Sequence, residues 1–272
     1  MNSQIRKLGW EICGGLSWKH GVILFCLLIF HLAVRYAWLD HRLFPDEAFT
    51  HGMVQGSLSD VLSQALEDVH PPFYYMTIWA LRKPLVSHPG LWRPAPSYEH
   101  QYKGFPVVRL YRFLNYFFVI PSVLLVFILT RLLWREEVLY SWVVLVMQAV
   151  VPFGVYWDTT ARQYPLMSLQ GLIALVCILL YMRTGFHLLF APYALTVLSG
   201  FYTNFYMYPY FAVFSLAGFL AVKNYRRAVV IFAVTAGLFV LSFALHHAFL
   251  PHMGEQIYQL SMPGDGARAQ GE

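Results

Sequence analysis

The sequence predicts an all-α, polytopic membrane helical bundle of about seven spans, with juxtamembrane helices in a long first external loop. Three observations carry that prediction. The 272 residues are 58% hydrophobic and only 12% charged, with a mean hydropathy of +0.51, whereas a soluble domain carries roughly 25% charged residues. No Asp or Glu occurs between Asp158 and Glu255, and apolar runs fill that interval, as a lipid setting requires. Lys and Arg gather at the ends of the apolar runs rather than in a stripe, so the net charge of +5 reads as topogenic and argues against a nucleic-acid partner. Cys13, Cys26 and Cys177 are odd in number and lack metal-like spacing, so neither a disulfide framework nor a zinc site is indicated.

Arg6, Lys7 and Lys19 precede an apolar run from Gly21 to about Leu39. The run is too long for the apolar part of a signal peptide and no small-residue cleavage site follows it, so it reads as an uncleaved anchor with a cytoplasmic N-terminus. Residues 40–106 form the first external loop. Within it Leu58, Val61, Leu62, Ala65 and Leu66 recur at helical spacing behind a Ser57/Asp60 capping box, which predicts an amphipathic surface helix. The run Phe73–Leu81 ends at Arg82, Lys83 and Pro84, well short of the ~20 residues of a span, and reads as a second juxtamembrane helix.

Five or six apolar runs follow, at about 107–132, 138–157, 165–182, 187–204, 205–222 and 228–249. If 73–85 does not cross, the short basic loops at Arg131/Arg135, Arg183 and Lys223/Arg226/Arg227 all share the cytoplasmic side with the N-terminus, as the positive-inside rule prefers. Residues 40–106, Asp158–Pro165 and Tyr202–Pro209 then converge on the external face. The runs 187–204 and 205–222 are short for two full spans, which points to a break near Asn204. Residues 1–250 are thus one transmembrane module, and the polar tail 251–272 is expected to be disordered.

The candidate reactive groups lie on that external face. Asp46-Glu47 directly follows Pro45 beside the first span, where a carboxylate can take a proton from an acceptor hydroxyl or hold a cation; the alternative is an ordinary solvated pair. His70 precedes Pro71-Pro72 and would face the same cavity, the prolines serving as helix punctuation. Arg162 suits a lipid phosphate through its planar, permanently charged fork, unless it snorkels or pairs with Asp158. Arg109 and Arg112, one helical turn apart on the external side, have no topogenic role, and one of them is a candidate second phosphate contact. Arg35 is accounted for by snorkelling. Tyr202–Tyr210 is an aromatic-rich string, either an interfacial belt or a groove wall with Asn204 as its polar handle. His246, His247 and His252 have no nearby carboxylate to complete a metal site.

The order of these groups resembles a known family. Phe44-Pro45-Asp46-Glu47-Ala48, Asp68-Val69-His70-Pro71-Pro72-Phe73-Tyr74-Tyr75, Val108-Arg109-Leu110 and Ala161-Arg162-Gln163-Tyr164-Pro165-Leu166 are similar to motifs of the GT-C glycosyltransferases of the dolichyl-phosphate-mannose protein mannosyltransferase and aminoarabinose transferase type, over about residues 20–222. The resemblance implies an inverting glycosyltransferase that takes a polyprenyl-phosphate-linked sugar and passes it to a glycan, lipid or protein acceptor on the non-cytoplasmic face, in glycan biosynthesis at a bacterial inner membrane. It implies Asp46 as catalytic carboxylate with Glu47 beside it. Arg109, Arg162 and Tyr164 would hold the donor phosphate. Asp158 stands in for the family's second-loop acid, and Asn204 takes the place of His in its Thr-His-Tyr turn, so that His70, Asp158 and Asn204 would contact substrate. A divalent cation stays open. Members of the family usually continue for further spans or a soluble domain, so the chain corresponds to the N-terminal transmembrane module. That expectation motivates an alternative, a non-catalytic membrane module binding an isoprenoid phosphate or a partner subunit. A small transporter fits poorly, because residues 159–254 lack the acids that ion coupling uses.

Overall fold

The computed structural model describes residues 16–67, 71–84, 107–134, 137–222 and 224–249, together with Arg6, Gly9 and Gly14. His70, the rest of the first loop (85–106) and the tail 251–272 lie outside the described residues. Among the described residues every regular element is helical. In chain order these are α1 (Trp18–Ala37), α2 (Pro45–Met53), α3 (Leu58–Glu67), α4 (Phe73–Arg82), α5 (Val108–Leu114), α6 (Tyr116–Leu133), α7 (Val138–Val150), α8 (Pro152–Thr159), α9 (Tyr164–Thr184), α10 (Phe190–Phe201, after a single 3-10 turn at His187–Leu189), α11 (Met207–Val222) and α12 (Tyr225–Phe249).

Four stretches are long and apolar enough to cross a bilayer: α1, the joined rod α5–α6 (26 residues), α9, and α12 over Tyr225–Leu245. A fifth crosses if α7 and α8 count together, since they are bent by 62° at Val151. The bend has a local cause. Pro152 opens α8 without an N–H and holds Val151 in an extended conformation at φ −65°, ψ 113°. α10, with 12 residues, and α11, with 16, reach about 18 and 24 Å at 1.5 Å per residue, less than the ~30 Å hydrocarbon core. Length and composition therefore establish four spans, or five with the bent pair, and α10 and α11 fall below the length of a full crossing. The expected break near Asn204 is the turn at 202–206, where the Asn204 side-chain oxygen accepts the Tyr206 N–H at 2.8 Å and ends the helical pattern.

α9 is the centre of the bundle. The apolar window of α9 is 67% buried against 11% for α1, because α9 packs on α6, α10 and α11 at once. At one end of the bundle three arginines bind backbone carbonyls. Arg131 donates to Gly14 O at 3.0 Å, ahead of α1, while Arg183 donates to Leu132 O and Arg227 to Met182 O at 2.6 Å, the last two meeting carbonyls near helix C-termini that the helix leaves unpaired. Gly185 makes the last contact feasible. It ends α9 in the left-handed region at φ 70°, and a Cβ there would stand 2.8 Å from the Arg227 guanidinium.

The juxtamembrane helices gather at the opposite end. α3 begins at the expected capping box: the Ser57 N–H donates to Asp60 Oδ2 at 2.7 Å and the Asp60 N–H to Ser57 Oγ at 3.2 Å. Its Val61 and Ala65 are buried with Tyr74, Tyr75 and Ile78 of α4 and with Leu110 of α5. α4, ten residues long, is too short to cross. The Phe73 N–H at its start donates to Tyr202 O at 2.8 Å, which ties the first loop to the 202–206 turn.

Candidate functional site

Three segments distant in sequence meet at the loop end: residues 39–47, the turn 158–164 between α8 and α9, and the top of α5–α6. Asn115, fully buried at the α5–α6 joint, donates to Thr160 O at 2.6 Å and accepts from the Tyr74 hydroxyl at 3.4 Å. Burial raises the Tyr74 pKa well above its ordinary value, with neighbouring Tyr75 adding to the effect, so this hydroxyl stays protonated and able to donate.

Glu47 and Arg112 form the core of the assembly. Both side chains are completely buried, and they pair in bidentate fashion, Nε to Oε1 at 2.7 Å and Nη2 to Oε2 at 2.5 Å. Glu47 also accepts the Ala161 N–H at 2.8 Å and the Phe44 N–H at 2.9 Å. Arg112 donates further to the carbonyls of Leu39, at 2.6 Å, and His41, at 2.8 Å. A buried charge pair is tolerable where the remaining donors and acceptors are satisfied in this way. His41 beside it has its pKa lowered below 6.5, by burial first and then by the Arg112 charge.

Glu47 thus points inward, whereas its neighbour Asp46 points outward. The Asp46 side chain is 47% exposed, with Oδ2 3.4 Å from Nη2 of Arg162, whose own side chain is 5% exposed. The glutamate's hold on Ala161 N sets the position of Arg162, the next residue. Tyr164 follows, its ring in edge contact with Trp157 at 4.4 Å; Trp157 in turn meets Phe44 edge-on at 6.3 Å. Trp157 and Tyr164 line an apolar groove of about 770 Å³ that runs between α7–α8, α9 and α11, past Leu172, Leu175 and Phe214.

The other sequence candidates have separate partners. Arg109 pairs with Asp40 at 2.8 Å and lies 5.6 Å over the Tyr36 ring. Asp158 pairs with Arg35, at 2.9 Å to Nε and 2.6 Å to Nη2. Two expectations are corrected here. Arg35 does not snorkel to the interface but is fully buried, and Arg162 pairs with Asp46 instead of Asp158. Asn204 forms its own turn through its side-chain oxygen, and His70 lies outside the described residues. Among the described residues no group of three or more His, Cys, Asp or Glu comes together.

Sequence reasoning singled out Arg112 only as an alternative to Arg109, and it missed Asn115 and Gln148. A signal existed for both amides, since each interrupts an otherwise apolar run. No family model, no curated protein and no solved structure matches the chain.

Proposed function

We propose that the chain is a polyprenyl-phosphate-dependent glycosyltransferase, moving a sugar with inversion onto an acceptor hydroxyl at the Asp46 end of the bundle. The observation that supports this most is the pairing of an outward, half-exposed carboxylate with a buried guanidinium 3.4 Å away, beside a groove lined by the residue two positions further on. In this reading Asp46 takes the acceptor proton as the new C1–O bond forms and the C1–O bond to phosphate breaks. Arg162 holds the departing phosphate, and the isoprenoid chain lies in the groove past Tyr164. Glu47 and Arg112 are positioning residues that hold both sides of this site.

The reading includes seven spans, with α10 and α11 both crossing. It places the end bearing Arg131, Arg183 and Arg227 in the cytoplasm by the positive-inside rule. Asp46 then faces the periplasm of a bacterial inner membrane. Donor and acceptor are the partners it requires.

The test is native mass spectrometry of the detergent-purified chain with polyprenyl phosphate and phosphatidylglycerol, beside a transfer assay with a polyprenyl-phosphate sugar. Arg162→Ala is expected to weaken polyprenyl phosphate retention about 10- to 100-fold, the loss of a charge-assisted contact. Asp46→Asn is expected to keep retention and abolish transfer. Turnover in Asp46→Asn removes that residue from the mechanism. Retention equal to that of phosphatidylglycerol refutes the donor site, and specific retention without turnover by the unaltered chain leaves the binding-module reading.

A further inference from the structure

Beside the groove lies a smaller pocket of about 330 Å³, within the size range of small-ligand sites. The two share Gln148, Phe153, Gly154, Asp158, Ser168 and Leu172 as walls. The 62° bend between α7 and α8 brings Gln148 and Asp158 to the same space. The pocket has one cation, Arg35, and the donors of Arg35 are already placed. Its Nε and Nη2 donate to Asp158 Oδ2 at 2.9 and 2.6 Å, and Nη2 also to the Gln148 carbonyl at 3.3 Å. Its Nη1 donates to His31 Nδ1 at 3.1 Å and to His31 O at 3.4 Å, while His31 Nε2 is held by Leu145 O at 2.8 Å.

The polar atoms left open are of the other kind. Both Arg35 contacts fall on Oδ2, so among the described residues Asp158 Oδ1 accepts no hydrogen bond. The Gln148 amide oxygen is buried and has no partner among the described residues. Ser168 is exposed on the wall, and Ser122 gives its proton to Phe118 O, keeping its lone pairs. An unpartnered amide and a half-satisfied carboxylate at membrane depth are costly, and a ligand bearing several O–H donors relieves both. A phosphate does not, because it would meet an open carboxylate oxygen and a guanidinium whose donors are taken.

We infer that this pocket binds the uncharged, hydroxyl-rich head group of a lipid whose chain lies in the adjoining groove, and that it rejects phosphate. The inference uses none of Asp46, Arg109 or Arg162, but it shares the groove with the transfer reading, so the two lipids compete for that space. The test places the full chain in phosphatidylcholine nanodiscs doped equally with glucosyl-diacylglycerol and phosphatidic acid of the same acyl chains. Retained lipid is read by native mass spectrometry. The glucosyl lipid is expected to exceed phosphatidic acid by tenfold or more, roughly one strong hydrogen bond's difference. Gln148→Leu is expected to cut that preference about tenfold while raising the thermal midpoint, since it deletes an unpartnered amide. Ser168→Ala, a change on the exposed wall, lowers the preference in the same direction. Arg162→Ala lowers phosphatidic acid retention and leaves glucosyl-lipid retention as it was, which separates this pocket from the phosphate site. Equal or greater retention of phosphatidic acid by the Arg162→Ala chain overturns the inference, as does an unchanged preference in both Gln148→Leu and Ser168→Ala.

Discussion

Replacing Glu47 by Gln changes almost no volume and removes one charge, and the geometry gives its cost. All four groups facing the carboxylate are donors: Arg112 Nε and Ala161 N on Oε1, Arg112 Nη2 and Phe44 N on Oε2. A glutamine amide, in either orientation, turns its NH2 toward two of them, so one side of the network loses its bonds and becomes repulsive. Arg112, fully buried, then keeps its charge without the carboxylate that balanced it. Breaking one side of a buried pair costs about 3–5 kcal/mol. The neighbouring change Asp46→Asn is the built-in control. Its side chain is 47% exposed and its ion pair is long at 3.4 Å, so it falls among exposed pairs worth about 0–1 kcal/mol. The assay is SDS-driven unfolding of the purified chain in mixed micelles, followed by tryptophan fluorescence, for wild type and the two variants. A Glu47→Gln protein within about 1 kcal/mol of wild type refutes the buried-pair reasoning. A comparable loss in Asp46→Asn refutes the division of labour between the adjacent acids.

Two other outcomes follow from single positions. Gly185→Ala puts a Cβ at φ 70° and 2.8 Å from Arg227, so it is expected to cost about 1–2 kcal/mol of strain and to displace Arg227 from Met182 O; an unchanged unfolding midpoint contradicts this. The lowered pKa of His41 means that below pH 6.5 the unfolded chain binds more protons than the folded one. Its stability contribution is therefore complete above pH 6.5 and is lost as the pH falls below that value. His41→Asn, which keeps a side-chain N–H for the Arg42 carbonyl now bonded at 2.8 Å, is expected to flatten the decline in unfolding midpoint between pH 7.5 and 5.5; parallel profiles contradict the assignment. His51, whose pKa is lowered by burial and then by Arg82, adds to the slope in both proteins and cancels in the difference.

Local features were legible because their causes are local. The Ser57/Asp60 box reads from a spacing of three, and its bonds form within one helical turn. The juxtamembrane helix at Phe73–Arg82 reads from an apolar run cut short by charges. The meeting of the 39–47, 158–164 and 202–206 segments followed from counting crossings, and Ala161 on Glu47 and Phe73 on Tyr202 hold it together. The break at Asn204 read from two short apolar runs meeting there, but the bond that makes it, Asn204 Oδ1 accepting from Tyr206 N–H, appears only in the structure.

The sequence by itself determined the solvent of this protein, the helical class, the order of its apolar segments and the residue types at the loop end. Apolar content and charge placement are fixed by composition, and every backbone group in lipid must be satisfied within a helix. Only the tertiary structure decided which charge meets which. Glu47 lies 65 residues from Arg112 and Arg35 lies 123 from Asp158, and several arginines of equal chemistry compete for each acid. Burial decides between them, since a carboxylate withdrawn from water is stable only beside the cation that packing delivers with its other donors already satisfied. That choice turned Glu47 inward and left Asp46 facing out.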